Sequence, residues 1–221
     1  THCISSAASD VYKRQMLDNY GKVEYYIISC PDEECEYSYS AKKLQEDLNS
    51  IVKNQKLQGV FIPLDRYPES MYDSVNVIDM SLFGARSLLI FENNVIELLI
   101  RAEGMIEYRS FSKCNLEMKK INDYLPENFD LSDDYIYDIS NFDITYQYTN
   151  QTVKNVIVRE TNEWSFPLSK YDEALAEIAA ENYDLPEEID FILDNGVQIR
   201  FVGDYIEYYS ISIEKCEEGL L

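Results

Sequence analysis

The sequence predicts an α+β protein of two mixed halves, each with a helix and a three-strand antiparallel meander. Three observations predict this class: helical spacing of apolar residues in two stretches, runs of β-branched and aromatic residues bounded by turn residues, and a pattern that occurs twice. With 221 residues, 46% of them apolar, the chain is long enough for a sizeable core. We expect an N-terminal half at residues 16–122 and an acidic C-terminal half at residues 123–221.

The first half is expected to combine strands with one helix. Residues 22–29 are rich in β-branched and aromatic side chains, as strands are. Residues 40–57 place apolar side chains on one helical face, and Ser40 is a suitable N-cap for that helix. Residues 60–64 then return as a strand. Residues 65–86 favour no single structure.

A short pattern occurs once in each half. Residues 90–95 (IFENNV) recur as residues 192–197 (ILDNGV), and Ile106-Glu107-Tyr108 recurs as Ile206-Glu207-Tyr208. The Asn-Asn and Asn-Gly pairs inside the first match are residue types that tight hairpin turns select. Each copy is therefore expected to form a three-strand meander. Internal duplication explains the match, and the alternative is two unrelated hairpins with similar turn chemistry.

The remaining elements of the second half precede its meander. Residues 115–125 favour a short helix, whereas residues 142–148 and 154–160 favour strands. A longer helix is expected at residues 169–183, because Ser169 begins a capping-box spacing and Pro186 prevents continuation.

The first fifteen residues are expected to lie outside the fold. They resemble translated adapter sequence at the ends of open reading frames from metagenomic assemblies, and the alternative is a native disordered arm. This stretch contains His2, the single histidine of the chain. Residues 16–221 therefore offer no imidazole, which excludes Ser-His-Asp and Cys-His catalysis, histidine general bases and His-ligated zinc.

Other catalytic and cofactor motifs are also missing from the sequence. The seven glycines form no phosphate-binding loop, and Cys30, Cys35, Cys114 and Cys216 match no zinc or redox spacing. No apolar run approaches the ~20 residues of a membrane span. We therefore expect a cytoplasmic, non-catalytic protein with reduced cysteines and with neither a cofactor nor a metal site.

Negative charge is the strongest functional signal. The formal net charge is −22, and it is unevenly divided along the chain. Residues 16–120 carry 17 acidic and 12 basic side chains, whereas residues 121–221 carry 23 acidic and 5 basic ones, so the net charges are −5 and −18. Such a field repels nucleic acid and anionic membranes and speeds association with basic partners. The expected partner is a basic protein, with no direct binding of nucleic acid or membrane.

A segment rich in Asp, Glu and Tyr is the expected binding site. No Lys or Arg occurs from Ile121 to Val153. Its carboxylates match the Arg and Lys side chains that normally hold phosphates, and its tyrosines add flat contact area at low entropic cost. The predicted partner-binding residues are Asp123, Glu127, Asp130, Asp133, Asp134, Tyr135, Tyr137, Asp138 and Asp143.

The leading hypothesis is an inhibitor of a basic nucleic-acid-processing protein, such as a nuclease or another nucleic-acid-binding effector, of the anti-CRISPR or DNA-mimic type. One alternative is a solvated acidic face over a Tyr-rich sheet, because charge runs commonly only solvate a surface. Another is a carboxylate-based divalent-metal hydrolase built from Pro31-Asp32 and Glu117-Met118-Lys119. In that alternative, the Glu-x-Lys triplet falls on the predicted helix, and a net-acidic enzyme would repel nucleic acid.

One stretch near the C-terminus resembles a known family. Leu185-Pro186-Glu187-Glu188, followed by Phe191-Ile192-Leu193 and Asn195-Gly196, is similar to the helix-end motif of the SMI1/KNR4 superfamily. Many members of that superfamily are immunity proteins against bacterial toxins. The resemblance implies a helix where the repeat predicts a strand, and it makes toxin neutralisation the second hypothesis for function.

Overall fold

A computed structural model shows a mostly antiparallel β protein with one α-helix among the residues it describes. Those residues are 24–30, 36–38, 40–63, 77–81, 85–100, 106–121, 135–139, 146–160, 186–203 and 208–216. The helix is α1 (Ala41–Val52). The strands are β1 (Glu24–Ser29), β2 (Glu36–Ser38), β3 (Leu57–Pro63), β4 (Val77–Ser81), β5 (Ala85–Phe91), β6 (Asn94–Ile100), β7 (Ile106–Ser112), β8 (Glu117–Ile121), β9 (Tyr135–Asp138), β10 (Val153–Glu160), β11 (Pro186–Leu193), β12 (Val197–Gly203) and β13 (Tyr208–Lys215).

These strands form two antiparallel sheets. The eight-stranded sheet has the order β2-β7-β6-β5-β3-β9-β1-β8, and the five-stranded sheet has the order β10-β11-β12-β13-β4. The eight-stranded sheet consists mainly of strands from the first half of the sequence, and the five-stranded sheet mainly of strands from the second half. Each also includes one strand from the opposite half. β4 pairs with β13 in the five-stranded sheet, and β9 lies between β3 and β1 in the eight-stranded sheet.

Helix α1 forms where apolar residues recur with helical spacing. Ser40 is its N-cap, with an extended backbone, and its hydroxyl accepts a hydrogen bond from the Lys43 N–H at 3.4 Å. The buried face of the helix consists of Ala41, Leu44, Leu48 and Val52. The predicted N-cap is thereby confirmed, and so are Leu44 and Leu48 of the predicted helical face. Ile51 of that face is only half-buried, and Gln55 lies beyond the end of the helix.

The helix ends at Val52, earlier than the sequence predicts. Asn54 has a left-handed φ of 70°, and Leu57 begins β3 instead of extending the helical face. Backbone hydrogen bonds join residues 54–57 to residues 150–153, far along the chain. Pairing with this distant segment outweighs the local helical spacing.

Side-chain amides of α1 cover the outer edge of β10. The Asn49 amide donates to the Val156 carbonyl at 2.7 Å and accepts from the Val156 N–H at 2.9 Å. The Gln45 amide oxygen accepts from the Val158 N–H at 2.9 Å. Since β10 is the terminal strand of its sheet, these amides bond the backbone groups that a neighbouring strand would otherwise bond.

The main core lies where the two sheets and α1 meet. The rings of Phe91 in β5 and Phe191 in β11 have centroids 6.2 Å apart, and Phe191 contacts Phe201 edge-on at 5.8 Å. One continuous cluster of buried residues includes the helix face and members of both sheets. Strands from both halves of the sequence therefore contribute to this core.

A second buried cluster lies on the other face of the eight-stranded sheet. Leu89 and Phe91 belong to the main core, whereas Leu88 and Ile90 belong to this second cluster. Because successive strand residues face opposite sides, β5 is buried on both faces. This explains why Leu88–Phe91 form a continuous apolar run and not an alternating one.

The predicted fold class is wrong. The described residues form a mostly β protein with a single helix, not two α+β halves with a helix each. The second predicted helix, at residues 169–183, lies outside the described residues. The physical reason for the error is long-range strand pairing, because local periodicity identifies strands but does not indicate which strands pair.

Two smaller predictions about elements also fail. Residues 115–125 were expected to be helical, but a 3₁₀ helix at Lys113–Asn115 is followed by strand β8. β8 pairs with β1 from Glu117 to Ile121, and this pairing overrides the helix propensity of Glu, Met and Lys. Of the strand predicted at residues 142–148, the described residues 146–148 are not in a strand.

Several predicted strands are confirmed. Residues 22–29, 60–64 and 154–160 contain or overlap β1, β3 and β10. Pro186–Leu193 forms β11, so the helix implied by the family resemblance is wrong. Its pairing with β10 and β12 on both sides stabilises the extended conformation.

Both expected meanders are present, although their registers differ. β5-β6-β7 and β11-β12-β13 are each consecutive neighbours, and Gly196 at the turn after β11 has a φ of 78°. In the first meander Val95 pairs with Phe111, three residues after Tyr108, whereas in the second the matching Val197 pairs with Lys215, seven residues after Tyr208. The second part of the sequence repeat therefore does not occupy equivalent strand positions.

Helix α1 has 12 residues. No helix in the described part of the chain combines the length and the apolar character required to cross a membrane.

Removing the amide that covers the β10 edge should destabilise the fold. We expect Asn49→Ala to lower the free energy of unfolding by about 1–3 kcal/mol, because it leaves the Val156 N–H and carbonyl without this partner. Urea denaturation measures the change. The control is Glu46→Ala on the exposed side of the same helix, which should change stability by less than about 0.5 kcal/mol. Equal effects of the two substitutions would contradict the role assigned to Asn49.

Candidate functional site

The first part of the acidic, Lys- and Arg-free stretch is residues 122–134, called the acidic segment below. It follows Ile121, the last residue of β8, and precedes Tyr135, the first residue of β9, so both of its ends join the eight-stranded sheet. Strand β1 lies between these two strands and is antiparallel to both, with Tyr25 opposite Ile121 and Ile27 opposite Tyr135. From strand spacing and rise, the two anchor points are about 12 Å apart.

The stretch of sequence between β8 and β9 is strongly acidic. Residues 122–134 contain Asp123, Glu127, Asp130, Asp133 and Asp134 and no basic residue. Both ends of the segment are attached within a distance comparable to the roughly 8–10 Å screening length of physiological salt. The stretch of chain that carries the five carboxylates therefore joins the sheet at two nearby points.

The structure places three of the predicted partner-binding residues on one strand. Tyr135, Tyr137 and Asp138 belong to β9, which is paired on both edges, with β1 and with β3. Their backbone is therefore fixed within the sheet and is not part of a loop. The other predicted residues lie outside the described ranges, namely Asp123, Glu127, Asp130, Asp133, Asp134 and Asp143.

The residues of the hydrolase alternative are only partly described. Glu117, Met118 and Lys119 are exposed on β8, a strand and not the helix that the sequence predicts. Asp32 lies outside the described residues. Within the described ranges, His, Cys, Asp and Glu side chains form no group of three or more that could hold a metal ion.

A cluster of charged side chains lies on the face of the five-stranded sheet opposite the main core. Asp190 is its centre and is fully buried. Arg200 binds it with two hydrogen bonds, Nε to Oδ1 at 2.8 Å and Nη2 to Oδ2 at 3.2 Å, and Arg159 on the neighbouring strand also donates to it. The paired guanidinium groups compensate for the burial of this carboxylate.

Two further carboxylates complete this cluster. Glu188 pairs with both arginines, and Glu214 lies 3.3 Å from Arg200 Nη1. Gln198, also fully buried, donates from Nε2 to Glu214 at 2.8 Å. With three carboxylates and two guanidinium groups, the cluster has a formal charge of −1. Its members come from β10, β11, β12 and β13, so it fixes the mutual register of four strands.

A smaller buried pair lies in the eight-stranded sheet. Glu97 on β6 and Arg109 on β7 are directly opposite in register and form an ion pair with side chains that are 8% and 13% exposed. Both sheets thus contain charged residues that bond each other in place of solvent. In both arrangements the carboxylates and guanidinium groups are bonded to each other across neighbouring strands, so they link the strands of each sheet.

Sequence reasoning missed the cluster around Asp190. A signal was present, because Glu188 and Asp190 flank the apolar Ile189, and Arg200 lies between apolar neighbours on the next strand. Alternation of this kind is normally interpreted as a solvent-facing side. Only the pairing of four strands shows that these charges converge and are buried.

Comparisons with known proteins identify no match to this chain. The chain matches no protein-family model, no curated protein and no solved structure.

Neutralising Asp190, at the buried centre of the cluster, should destabilise the fold far more than neutralising Glu214, at its more exposed rim. We expect Asp190→Asn to lower the free energy of unfolding by about 3 kcal/mol, because Arg159 and Arg200 lose their buried counter-charge. Glu214→Gln, at a side chain that is 41% exposed, should cost less than about 1 kcal/mol. Urea denaturation of both variants provides the measurement. A cost for Asp190→Asn no larger than that for Glu214→Gln would show that the cluster does not stabilise the sheet.

Proposed function

We propose that this protein is a non-catalytic acidic inhibitor that binds a basic nucleic-acid-processing protein, such as a nuclease or a nucleic-acid-binding effector. The observation that carries the proposal is the anchored acidic segment. Five carboxylates without a basic residue are attached to the sheet at two points about 12 Å apart, on either side of β1.

The physical basis of recognition is replacement of phosphates by carboxylates. A nucleic-acid channel presents Arg and Lys side chains whose positive charge is normally balanced by phosphates and counterions. Carboxylates form charge-assisted, often bidentate hydrogen bonds with the same guanidinium groups. A tethered row of them therefore competes for the channel, and its occupation excludes the nucleic acid.

Anchoring also favours affinity. A free chain of this composition would lose much conformational freedom on binding. Here β8 and β9 fix both ends of the segment against β1, so part of that entropy is lost on folding and not on binding. Tyr135 and Tyr137 follow the segment directly and are held on β9.

The net charge of −22 supports the same proposal at longer range. It attracts a basic target before contact and raises the association rate, an effect that salt weakens. The same field repels nucleic acid, so the inhibitor acts on the protein and not on its substrate.

Toxin immunity is the second hypothesis, and no structural observation favours it. The residues that carried the resemblance to an immunity family form β11, a strand paired on both sides.

The test compares two variants that remove equal charge. One changes Asp130, Asp133 and Asp134 to Asn, and the other changes Glu46, Glu92 and Glu160, exposed residues elsewhere, to Gln. Purified basic nucleases and nucleic-acid-binding effectors serve as candidate targets, with titration calorimetry for affinity and nucleic-acid cleavage for inhibition. We expect the segment variant to bind at least about tenfold more weakly, a loss of ~1.4 kcal/mol, and with a flatter salt dependence.

The control variant should retain affinity within about threefold, because its charges lie away from the anchored segment. Equal losses of affinity in the two variants would show that binding depends on the net charge of the protein and not on the acidic segment. Wild-type binding that does not weaken as salt increases would overturn charge mimicry as the mechanism.

A further inference from the structure

Three of the four terminal strands, β10, β2 and β8, differ in how their outer edges are protected from pairing with a further strand, and the fourth is β4. The edge of β10 is covered by the amides of Asn49 and Gln45. β2 has only three residues, which is too short to template another strand effectively. β8 ends the eight-stranded sheet with five residues, and its residues Glu117–Lys120 are all exposed. An exposed edge of this length is a site for strand addition.

Exposed apolar side chains occur at this same edge. Ile27 and Met118, with exposed fractions of 40% and 37%, are the exposed large apolar side chains of the described residues. They lie on opposite faces of the sheet, since Ile27 is paired with Lys119 and Met118 is paired with Ile28. Each face therefore carries one exposed apolar side chain beside the β8 edge.

The sequence of β8 is complementary to itself. When two copies of this strand pair antiparallel about a two-fold axis at Met118, the two Met118 side chains lie opposite each other. Glu117 of each copy then lies opposite Lys119 of the second copy, which creates two cross-strand pairs of opposite charge. Shifting the centre to Lys119 would place two like charges directly opposite, which is destabilising. The charge pattern therefore selects one register.

We propose that β8 is a docking edge for a second copy of this chain, and that two copies pair antiparallel about Met118 to form one continuous sheet. The Met118 pair extends the second buried cluster from Ile28, its neighbour on β1. The Glu117–Lys119 pairs form on the opposite face, beside Ile27.

Long-range electrostatics oppose this dimer. Each copy carries a net charge of −22, and the acidic segment begins directly after β8. The paired area of one five-residue edge is small, so the dimer is weak and depends on concentration. Salt screens the repulsion beyond roughly 8–10 Å and leaves apolar and backbone contacts intact. Dimerisation therefore strengthens with salt, the reverse of the dependence expected for binding a basic target.

Analytical ultracentrifugation of the purified full chain tests the proposal and requires no target. We expect the dimer fraction to rise between about 10 μM and about 1 mM protein, and to be larger near 0.5 M than near 0.05 M salt. Because the measurement concerns the protein alone, its failure leaves the proposed inhibition unaffected, and failure of inhibition leaves the dimer unaffected.

Charge reversal then separates specific pairing from net charge. Glu117→Lys lowers the negative charge of each copy and Lys119→Glu raises it, so an effect of net charge alone would strengthen one dimer and weaken the other. Specific pairing predicts that both substitutions weaken self-association at least about fivefold, because each places like charges opposite. An equimolar mixture of the two variants should regain association, since each then offers the charge that complements the other.

Circular dichroism of the two variants should match the wild type, because both side chains are exposed. A wild-type protein that stays monomeric over the whole range of concentration and salt would overturn the proposal, and would show that the lysines of β8 block strand addition. Opposite effects of the two reversals, or a mixture that stays monomeric, would overturn the register.

Discussion

The structure depends on the contact between residues 54–57 and 150–153. Four backbone hydrogen bonds join these segments at the start of β3 and β10, and they connect the eight-stranded sheet to the five-stranded sheet. This junction ends α1, directs its apolar face into the core and brings Phe91 of one sheet against Phe191 of the other. Without it, each sheet would expose an apolar face that neither can cover alone.

Where the core of this acidic chain buries a carboxylate, that carboxylate requires a basic partner. Among the described carboxylates, those of Glu46, Glu92 and Glu160 are exposed. Asp190 and Glu97 are buried on strands and are tolerated because arginines bond them directly. Such pairs specify register, since a one-residue slip would separate the partners and leave a buried charge uncompensated. Few basic residues are present in the second half, and two of them, Arg159 and Arg200, bond Asp190.

The edges of the sheets connect this architecture to the two proposals. Amides of α1 close the β10 edge, whereas β8 remains open and leads directly into the acidic segment. One end of the eight-stranded sheet thus combines an exposed strand with the start of an acidic stretch of sequence. The two proposals predict opposite responses to salt, because self-association would oppose the protein's own field and binding of a basic target would use it.

The sequence by itself determined the local elements and the electrostatic character of the protein. Ser40 as an N-cap, the face of α1, the strands β1, β3 and β10, and both meanders follow from residue type and spacing, which act over a few residues. Composition likewise determined the net charge and where basic residues are absent, since charge requires no fold to be counted. The basic partner expected from that charge stays a prediction.

Only the tertiary structure decided which strands pair, and that decision overturned the α+β prediction. It moved β4 and β9 into sheets of the opposite sequence half and made residues 117–121 a strand against their helix propensity. It also assembled the cluster around Asp190 from four strands and placed the ends of the acidic segment on either side of β1. Strand pairing joins residues that are far apart in sequence, and its free energy depends on how a whole face is buried, which local spacing does not contain.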